Sequence, residues 1–194
     1  ITVGKILDAQ LAEDVLEANE VDGVVLGRAL LADPDFVEKA EEKRYDEIAP
    51  CAGCGVGCVG EQTKRRPASC VINPLAGREL EFEEKPTAEE KNILVVGAGI
   101  GGLAAARILA KRGHHVVLAD RQDSLGGTVR IAAVPIAKQD LTQLIKYQAH
   151  KLEQAGVKVL LNTEVTLETI QKDYPDYEVI LCAGANPVVP QFMT

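Results

Sequence analysis

The chain has 194 residues, enough for one or two domains, and 46% of them are apolar, 26% charged and 4% aromatic. Its net charge is −8 and it carries no long Lys or Arg run, which argues against nucleic-acid binding. No apolar run approaches the roughly 20 residues of a membrane span, and no signal peptide opens the chain, so we expect a cytoplasmic protein with reduced thiols. Because the chain starts at Ile1 rather than Met and stops soon after a strand, we expect a fragment of a longer protein.

Two short apolar strands open the chain, Ile1–Val3 and Val24–Leu26, and a helix capped by its first residue is predicted between them at Asp8–Asn19. A second helix is predicted from about Pro34 to Lys43. This order indicates one βαβ crossover with parallel strands. Two strands cannot close a (β/α)8 barrel of about 250 residues, so residues 1–48 are interpreted either as the end of such a barrel or as a small independent α/β cap.

Four of the five cysteines lie in the segment 51–70, CAGCGVGCVGEQTKRRPASC, at spacing C-x2-C-x3-C-x11-C. They are Cys51, Cys54, Cys58 and Cys70. Thiolates suit an iron–sulfur cluster or a zinc ion, and the interleaved glycines let the backbone turn tightly and leave amide N–H groups free for cluster sulfides. Zinc ligands usually come as two CxxC pairs, so the spacing favours [4Fe–4S] over zinc, and disulfides or inert thiols come last.

After a charged linker at 81–91, a second βαβ unit is predicted. The strand Asn92–Val96 leads into a GxGxxG turn and the helix Leu103–Arg112, followed by the strand His115–Ala119. The later elements are a helix from about Lys138 to Gln154 and the strands Val157–Leu161 and Glu178–Leu181. His114, His115 and His150 are expected to be solvated, and Cys182 to be a small buried residue.

The GxGxxG turn predicts a dinucleotide site because it follows a strand, opens a helix and has an acidic residue at the end of the next strand. Gly97 makes the tight turn, Gly99 lets the backbone approach a pyrophosphate, and Gly102 lets helix and strand pack closely. The helix N-terminus offers unpaired N–H groups to the phosphates, and Asp120 can bond to the adenosine ribose. An early LGG ending at Gly127 and a second glycine turn after the last strand favour FAD over NAD.

With these motifs in order, nearly the whole chain resembles the multidomain relatives of old yellow enzyme, a group of 2,4-dienoyl-CoA reductases, 2-enoate reductases, NADH oxidases and trimethylamine dehydrogenases. DGVVLGRALLADPDF resembles the group's last barrel strand, and CAGCGVGC…C resembles its [4Fe–4S] ligands. NILVVGAGIGGLAAA with LADRQDSLGG resembles the start of its FAD site, and VILCAGANPVVP its second adenine-nucleotide contact. The ordered set strengthens the cluster interpretation.

The resemblance implies an α/β fold with the end of an FMN barrel at 1–48, an iron–sulfur segment at 49–80 and an incomplete Rossmann-like FAD-binding domain at 92–194. It implies that the cluster ligands are Cys51, Cys54, Cys58 and Cys70. The implied FMN-phosphate residues are Gly4, Lys5, Gly27 and Arg28. The implied FAD residues are Gly97, Gly99, Gly102, Asp120, Arg121, Gly127, Val165 and Ala183. In some amine dehydrogenases of the group ADP takes the place of FAD, and that choice stays open.

For the intact protein, the resemblance implies a reductase of an activated C=C bond in an enoyl-CoA, dienoyl-CoA or enoate, with electrons passing from NAD(P)H through FAD and the cluster to FMN. The alternatives are an amine dehydrogenase of the trimethylamine dehydrogenase type and a fragment with electron-transfer or nucleotide-binding capacity alone. The barrel's catalytic residues are expected upstream of Ile1. Because barrel strands without their neighbours leave apolar edges, we also expect self-association through these strands, or their packing onto the FAD domain.

Overall fold

The computed structural model describes residues 1–82 and 85–185, which form two compact units. The first unit comprises Ile1–Lys85 and Arg130–Lys151, and the second comprises Pro86–Val129 and Leu152–Thr194 as far as these residues are described. Two residues of the predicted linker, and the NPVVP end of the predicted second nucleotide contact, lie outside the described residues. The division into segments 1–48, 49–80, 81–91 and 92–194 stays a prediction.

The first unit opens with two parallel strands, β1 (Thr2–Val3) and β2 (Val24–Val25), joined by helix α1 (Ala9–Glu17). Thr2 lies opposite Val24, so the predicted parallel crossover is confirmed. Asp8 caps α1, since its carboxylate accepts the amide N–H of Leu11 at 2.8 Å. Val3 is 73% exposed in the single chain, and self-association through these strands stays a prediction.

The helix predicted from about Pro34 to Lys43 is present as α3 (Phe36–Glu41), but the helix before it, α2 (Arg28–Ala32), was not predicted. The chain is already helical at Arg28 and breaks at Asp33, whose φ of −142° and ψ of 104° are extended. That break follows from the next residue, since proline disfavours the α region in the residue before it. A 3-10 helix at Tyr45–Glu47 follows. The buried core of these elements is formed by Ala9, Ala29, Phe36 and Ile48.

Little regular structure surrounds the four clustered cysteines. Helix α4 (Val59–Thr63) begins directly after Cys58.

Helix α6 (Thr128–Ala132), a 3-10 helix at Ile136–Lys138 and helix α7 (Leu141–Gln154) come later in the chain, and α7 begins three residues after its predicted start. None of the helices among the described residues combines the length and apolar character of a membrane span.

The second unit is a four-stranded parallel sheet with strand order β5-β4-β3-β6. Its strands and remaining helices are β3 (Asn92–Val96), α5 (Ile100–Lys111), β4 (His115–Ala119), β5 (Lys158–Leu160), α8 (Leu167–Asp173) and β6 (Glu178–Leu181). Strands β3, β4 and β6 match their predicted bounds, while α5 starts three residues earlier than predicted. After their first residues the two central strands are apolar, because the sheet is covered on both faces; Leu94, Val95 and Leu118 are fully buried.

The strand order creates a switch point at the carboxyl end of β3. From β3 the chain moves to β4 and β5 on one side, then returns to β6 on the other. In open parallel sheets, ligands bind in the crevice outside the carboxyl ends of the strands at such a reversal. The GxGxxG turn after β3 and the Cys182-Ala183 turn after β6 therefore flank the position where this fold binds a ligand.

Candidate functional site

At the switch point, backbone packs directly on backbone. Gly97 has φ of 106°, and a Cβ at this position would overlap the carbonyl oxygen of Cys182. Gly102, in the first turn of α5, would place a Cβ onto the carbonyl oxygen of Gly97. Only residues without a side chain let β3, α5 and β6 approach this closely, which gives the physical reason for glycine at both positions.

The N-terminus of α5 is open for a ligand. Gly99 immediately precedes this twelve-residue helix, and a Cβ built on it would meet no atom within 4 Å. The first turn of a helix carries unpaired N–H groups and a partial positive charge, so a diphosphate can bind here. The LGG segment folds over the turn: the Gly126 amide donates to the Ala98 carbonyl at 2.8 Å, and a Cβ on Gly127 would lie 3.0 Å from the Gly99 Cα.

Asp120 ties the glycine turn to the end of β4. Its Oδ2 accepts the Ala98 amide N–H at 2.5 Å, and its Oδ1 accepts the Gln122 amide N–H at 2.8 Å. A carboxylate offers about four lone-pair sites, so two backbone bonds leave capacity for ribose hydroxyls.

The other predicted nucleotide residues differ in their burial. Arg121 and Ala183 are exposed, whereas half-buried Val165 packs against the core cluster of Leu94, Val117 and Ala119.

All four clustered cysteines line one cavity in the first unit, and all are free thiols. The cavity is lined by Cys51, Cys54, Cys58 and Cys70 together with Arg28 and Ile72, among others. Gly57 and Ser69 bring distant ligands together, since the Ser69 amide donates to the Gly57 carbonyl at 2.8 Å, beside Cys58 and Cys70. A Cβ on Gly57 would come within 2.6 Å of the Ser69 carbonyl oxygen.

The thiols differ in electrostatic setting. Burial raises the pKa of the Cys51 thiol, and the backbone of Gly53 and the charge of Arg28 act against that rise. The Ile72 amide donates to the Cys70 sulfur at 3.4 Å, a contact of the kind that stabilises thiolate ligands. Arg28 lines the same cavity as the four cysteines, so it places a positive charge beside the thiols.

Two polar side chains that sequence reasoning missed hold both ends of the cysteine segment. Asp33 is 2% exposed; its Oδ2 accepts the Ala49 amide N–H at 2.7 Å, and Lys39 Nζ lies 2.7–2.8 Å from its two oxygens. Ala49 precedes the first cysteine by two residues. After the last cysteine, Asn73 Nδ2 donates to the Leu31 carbonyl at 3.1 Å. The one sequence signal for this role was that Asp33 precedes a proline. Such a pair indicates a turn, and it does not reveal a distant hydrogen-bond partner.

The predicted FMN-phosphate residues follow β1 and β2. Gly4 and Lys5 both have positive φ, 131° and 47°, and Lys5 Nζ forms an ion pair with Asp140 Oδ2 at 2.9 Å. Gly27 directly precedes α2, and Arg28 is the first residue of that helix. Because the strands are parallel, both loops follow the same edge of the two-stranded sheet. Their role toward FMN stays a prediction.

Within residues 1–82 and 85–185, no three His, Cys, Asp or Glu side chains are arranged around a single metal ion. A [4Fe–4S] cluster makes a different demand, because its four thiolates bind four separate irons. Four cysteines around one cavity, with an amide donor and a cation beside the sulfurs, fit the donor chemistry of such a cluster.

The expectation that all three histidines are solvated is wrong, since both His114 and His150 have a buried ring nitrogen. His150 was expected to be solvated, but its side chain is 29% exposed and its Nε2 lies 3.2 Å from Asp46 Oδ2, without hydrogen-bond alignment. His115 is exposed and lies 3.3 Å from Glu90. The burial of His150 follows from α7 packing into the first unit, which its local sequence did not indicate.

Comparison with known proteins shows which proteins the chain is similar to. Residues 95–159 match the NAD(P)-binding Rossmann-like domain. The chain is 37% identical over 187 residues to cinnamate reductase of Clostridium sporogenes and 38% identical over 193 residues to NADH oxidase of Thermoanaerobacter brockii. The chain is homologous to the reductases and dehydrogenases related to old yellow enzyme. The resemblance predicted from the four motifs is thus confirmed.

Solved structures agree with this homology. The chain superposes on 2-naphthoyl-CoA reductase in complex with 2-naphthoyl-CoA with a TM-score of 0.93 at 30% identity, covering 97% of this chain and 29% of that one. It superposes on histamine dehydrogenase from Rhizobium sp. 4-9 with a TM-score of 0.85 at 26% identity, covering 95% and 27%. Of the two curated relatives it covers 28% and 30%, while they match 96% and 98% of this chain. The chain therefore spans less than a third of its relatives.

Proposed function

We propose that this chain is the cluster-binding and nucleotide-binding part of an NAD(P)H-dependent flavin oxidoreductase that reduces an activated C=C bond in an enoate, enoyl-CoA or dienoyl-CoA. The observation that carries the proposal is the cavity lined by four free cysteines drawn from twenty residues of chain. Homologues named cinnamate reductase and 2-naphthoyl-CoA reductase support the substrate class. Residues 1–48 fit the end of a (β/α)8 barrel, since β1 and β2 form a parallel pair joined by a helix.

Each part of the site has a distinct task under this proposal. Cys51, Cys54, Cys58 and Cys70 bind the cluster. The turn from Gly97 to Gly102 binds the diphosphate of FAD, or of ADP in its place, and Asp120 orients the ribose. The loops after β1 and β2 bind the phosphate of FMN. When bound, FAD would supply a two-electron acceptor for the hydride of NAD(P)H, and the cluster would supply a one-electron relay toward FMN.

Metal analysis of anaerobically prepared protein tests the cluster. We expect about four irons per chain and a broad absorption at about 400 nm, as [4Fe–4S] proteins show. Cys58→Ser removes a thiolate from the cavity and should lower the iron content sharply. Cys182→Ser is the matched control, because Cys182 follows β6 in the second unit and does not line the cavity. One colourless zinc per chain, or disulfides among the four cysteines, would overturn the proposal.

A second candidate function is amine oxidation, which the superposition on histamine dehydrogenase favours. The chain is also 33% identical over 198 residues to dimethylamine dehydrogenase of Hyphomicrobium sp.. Stopped-flow reduction of the full-length protein distinguishes the two functions. A reductase is bleached by NADH or NADPH, whereas an amine dehydrogenase is bleached by an amine alone. The third possibility is a fragment with electron-transfer or nucleotide-binding capacity only. Steady NADH-driven reduction of an enoate by the 194-residue chain itself would exclude it.

A further inference from the structure

The loop after β5 is bonded through its backbone to the segment that follows β4. The Asp120 amide donates to the Leu160 carbonyl at 2.9 Å and extends the pairing of the two strands by one bond. Beyond this bond, the Asn162 amide donates to the Gln122 carbonyl at 2.8 Å. The next amide, that of Thr163, donates to the Asp120 carbonyl at 2.8 Å. The loop therefore holds the backbone that carries the Asp120 carboxylate.

Asn162 makes this double contact possible through its backbone conformation. In an extended strand, consecutive amide N–H groups point to opposite sides, so two neighbours cannot both reach the same short segment. Asn162 has φ of 53°, in the left-handed region, and the turn at this residue directs its own amide and that of Thr163 to one side. Asparagine and glycine adopt this conformation more readily than other residues. Because Asn162 is exposed, its contribution comes from its backbone and not from packing of its side chain.

The orientation of the Asp120 carboxylate depends on the segment that this loop holds. Its Oδ1 accepts the Gln122 amide N–H at 2.8 Å, and its Oδ2 accepts the Ala98 amide N–H at 2.5 Å. Gln122 is thus bonded twice, by its amide to the carboxylate and by its carbonyl to the Asn162 amide. A movement of the loop after β5 would therefore be transmitted through Gln122 to the carboxylate.

We propose that Asn162 is a positioning residue for the nucleotide site, because its left-handed conformation orients the Asp120 carboxylate toward the adenosine ribose. This inference rests on the proposed function, since it requires that Asp120 binds the ribose hydroxyls. Asn162 acts through Gln122 and the Asp120 backbone, and not on the nucleotide itself. A residue that avoids the left-handed region should weaken recognition of the ribose, while the glycine turn still binds the diphosphate.

The test compares the dissociation constants of ADP and 2′-deoxy-ADP, measured by isothermal titration calorimetry on the 194-residue protein. The unsubstituted protein should bind ADP about tenfold more tightly, because the missing hydroxyl removes a hydrogen bond to a carboxylate. Asn162→Ala should bring the two constants to within about twofold of each other, since that bond is then misaligned. Asn162→Gly keeps the left-handed conformation and should retain the preference for ADP. The ratio of the two constants is insensitive to partial unfolding, because both nucleotides lose the same share of binding sites.

Asn19→Ala is the matched control. Asn19 is also an exposed asparagine with a left-handed backbone, φ 54°, but it lies in the first unit. Its substitution has the same local cost and should leave the ratio of the two constants unchanged. An equal fall of the ratio in Asn19→Ala would overturn the inference, as would an unchanged ratio in Asn162→Ala or an equal loss in Asn162→Gly.

Asp120→Ala separates this inference from the proposed function. If Asp120 binds the ribose, this variant should lose the preference for ADP. An equal ratio in Asp120→Ala and the unsubstituted protein would overturn the proposed role of Asp120, and the inference with it. Loss of the preference in Asp120→Ala but not in Asn162→Ala would overturn the inference alone.

Discussion

The glycine turn of the second unit and the cysteine segment of the first unit are built by different means. The turn lies at the edge of a parallel sheet with a fully buried interior, and its geometry depends on backbone atoms in van der Waals contact. The segment 49–80 has one helix of five residues and is held at its ends by Asp33 and Asn73. Close packing thus shapes the glycine turn, whereas a few side-chain hydrogen bonds hold the cysteine segment.

The sharpest way to test this contrast is Gly102→Ala. The added Cβ would overlap the carbonyl oxygen of Gly97. Because Gly97 directly follows β3, moving its backbone would disturb the end of that strand. We expect unfolding of the second unit to become easier by more than about 3 kcal/mol, at the upper end for overpacking, with loss of nucleotide binding. Urea denaturation and a fluorescence titration with FAD and ADP measure the two effects.

Gly101→Ala is the control for that substitution. Gly101 neighbours Gly102 in the same helix turn, but its Cβ would meet no atom within 4 Å. Replacing glycine by alanine within a helix stabilises by about 0.5–1 kcal/mol, so this variant should be slightly more stable than the unsubstituted protein. If both variants lose stability equally, close backbone packing is not what shapes the turn.

Asp33→Ala tests the polar side of the contrast. The change removes the buried carboxylate from Lys39, whose side chain is 16% exposed, and leaves the Ala49 amide without its acceptor; the exposed Asp35, 4.0 Å from Lys39, remains. Breaking a buried pair by removing one partner costs about 3–5 kcal/mol, and partial exposure of Lys39 favours the lower value of about 3 kcal/mol. Iron content should fall with stability, because Ala49 leads directly into Cys51.

Asp35→Ala is the matched control for Asp33. Its carboxylate is also near Lys39, at 4.0 Å, but its side chain is 63% exposed. An exposed pair of this kind contributes less than about 1 kcal/mol. Chemical denaturation and iron analysis of both variants show whether the loss is specific to Asp33. Equal losses would mean that charge near Lys39 matters and that the buried bond to Ala49 does not.

The sequence predicted those elements whose signal is local. Strands β3, β4 and β6 were predicted with their bounds because each is a short apolar run bordered by turn residues. Helix α2 was missed because five residues are too few for a periodic pattern. The bonds of Asp33 to Ala49 and of Asn73 to Leu31 join positions 16 and 42 residues apart, and no local pattern indicates such partners.

In the candidate site too, the sequence predicted the residues whose signal is local and missed the long-range contacts. The glycines of the GxGxxG turn were predicted by spacing, and the structure supplies the steric reasons for Gly97 and Gly102. The cysteines were found by spacing as well, but their shared cavity depends on the Gly57–Ser69 contact. The position of Arg28 among the thiols depends on where α2 begins, which the sequence did not predict.

Asn73→Ala should have a smaller effect than Asp33→Ala. The side chain gives one hydrogen bond to the Leu31 carbonyl and accepts one from the Leu75 amide, both at 3.1 Å and only partly buried. Neutral bonds of this kind contribute about 1 kcal/mol each, so we expect a loss of about 1–2 kcal/mol in denaturation. Asn73→Asp keeps the acceptor for Leu75 but turns an oxygen toward the Leu31 carbonyl. It should therefore be no more stable than the alanine variant; full stability in it would remove the anchor role.

The smallest effect is expected from the ion pair between Lys91 and Glu178, 2.6 Å apart on the surface where β3 and β6 begin. The hydrogen bond and charge of Glu178 raise the pKa of Lys91 above its ordinary value. Its contribution to stability is therefore present at neutral pH and disappears as alkaline pH passes the raised pKa. Because both side chains are exposed, a double-mutant cycle with Lys91→Gln and Glu178→Gln should give a coupling near the error of the measurement, and less at high salt. A large coupling that survives high salt would show that surface charge, and not the buried strand contacts, holds β6 against β3.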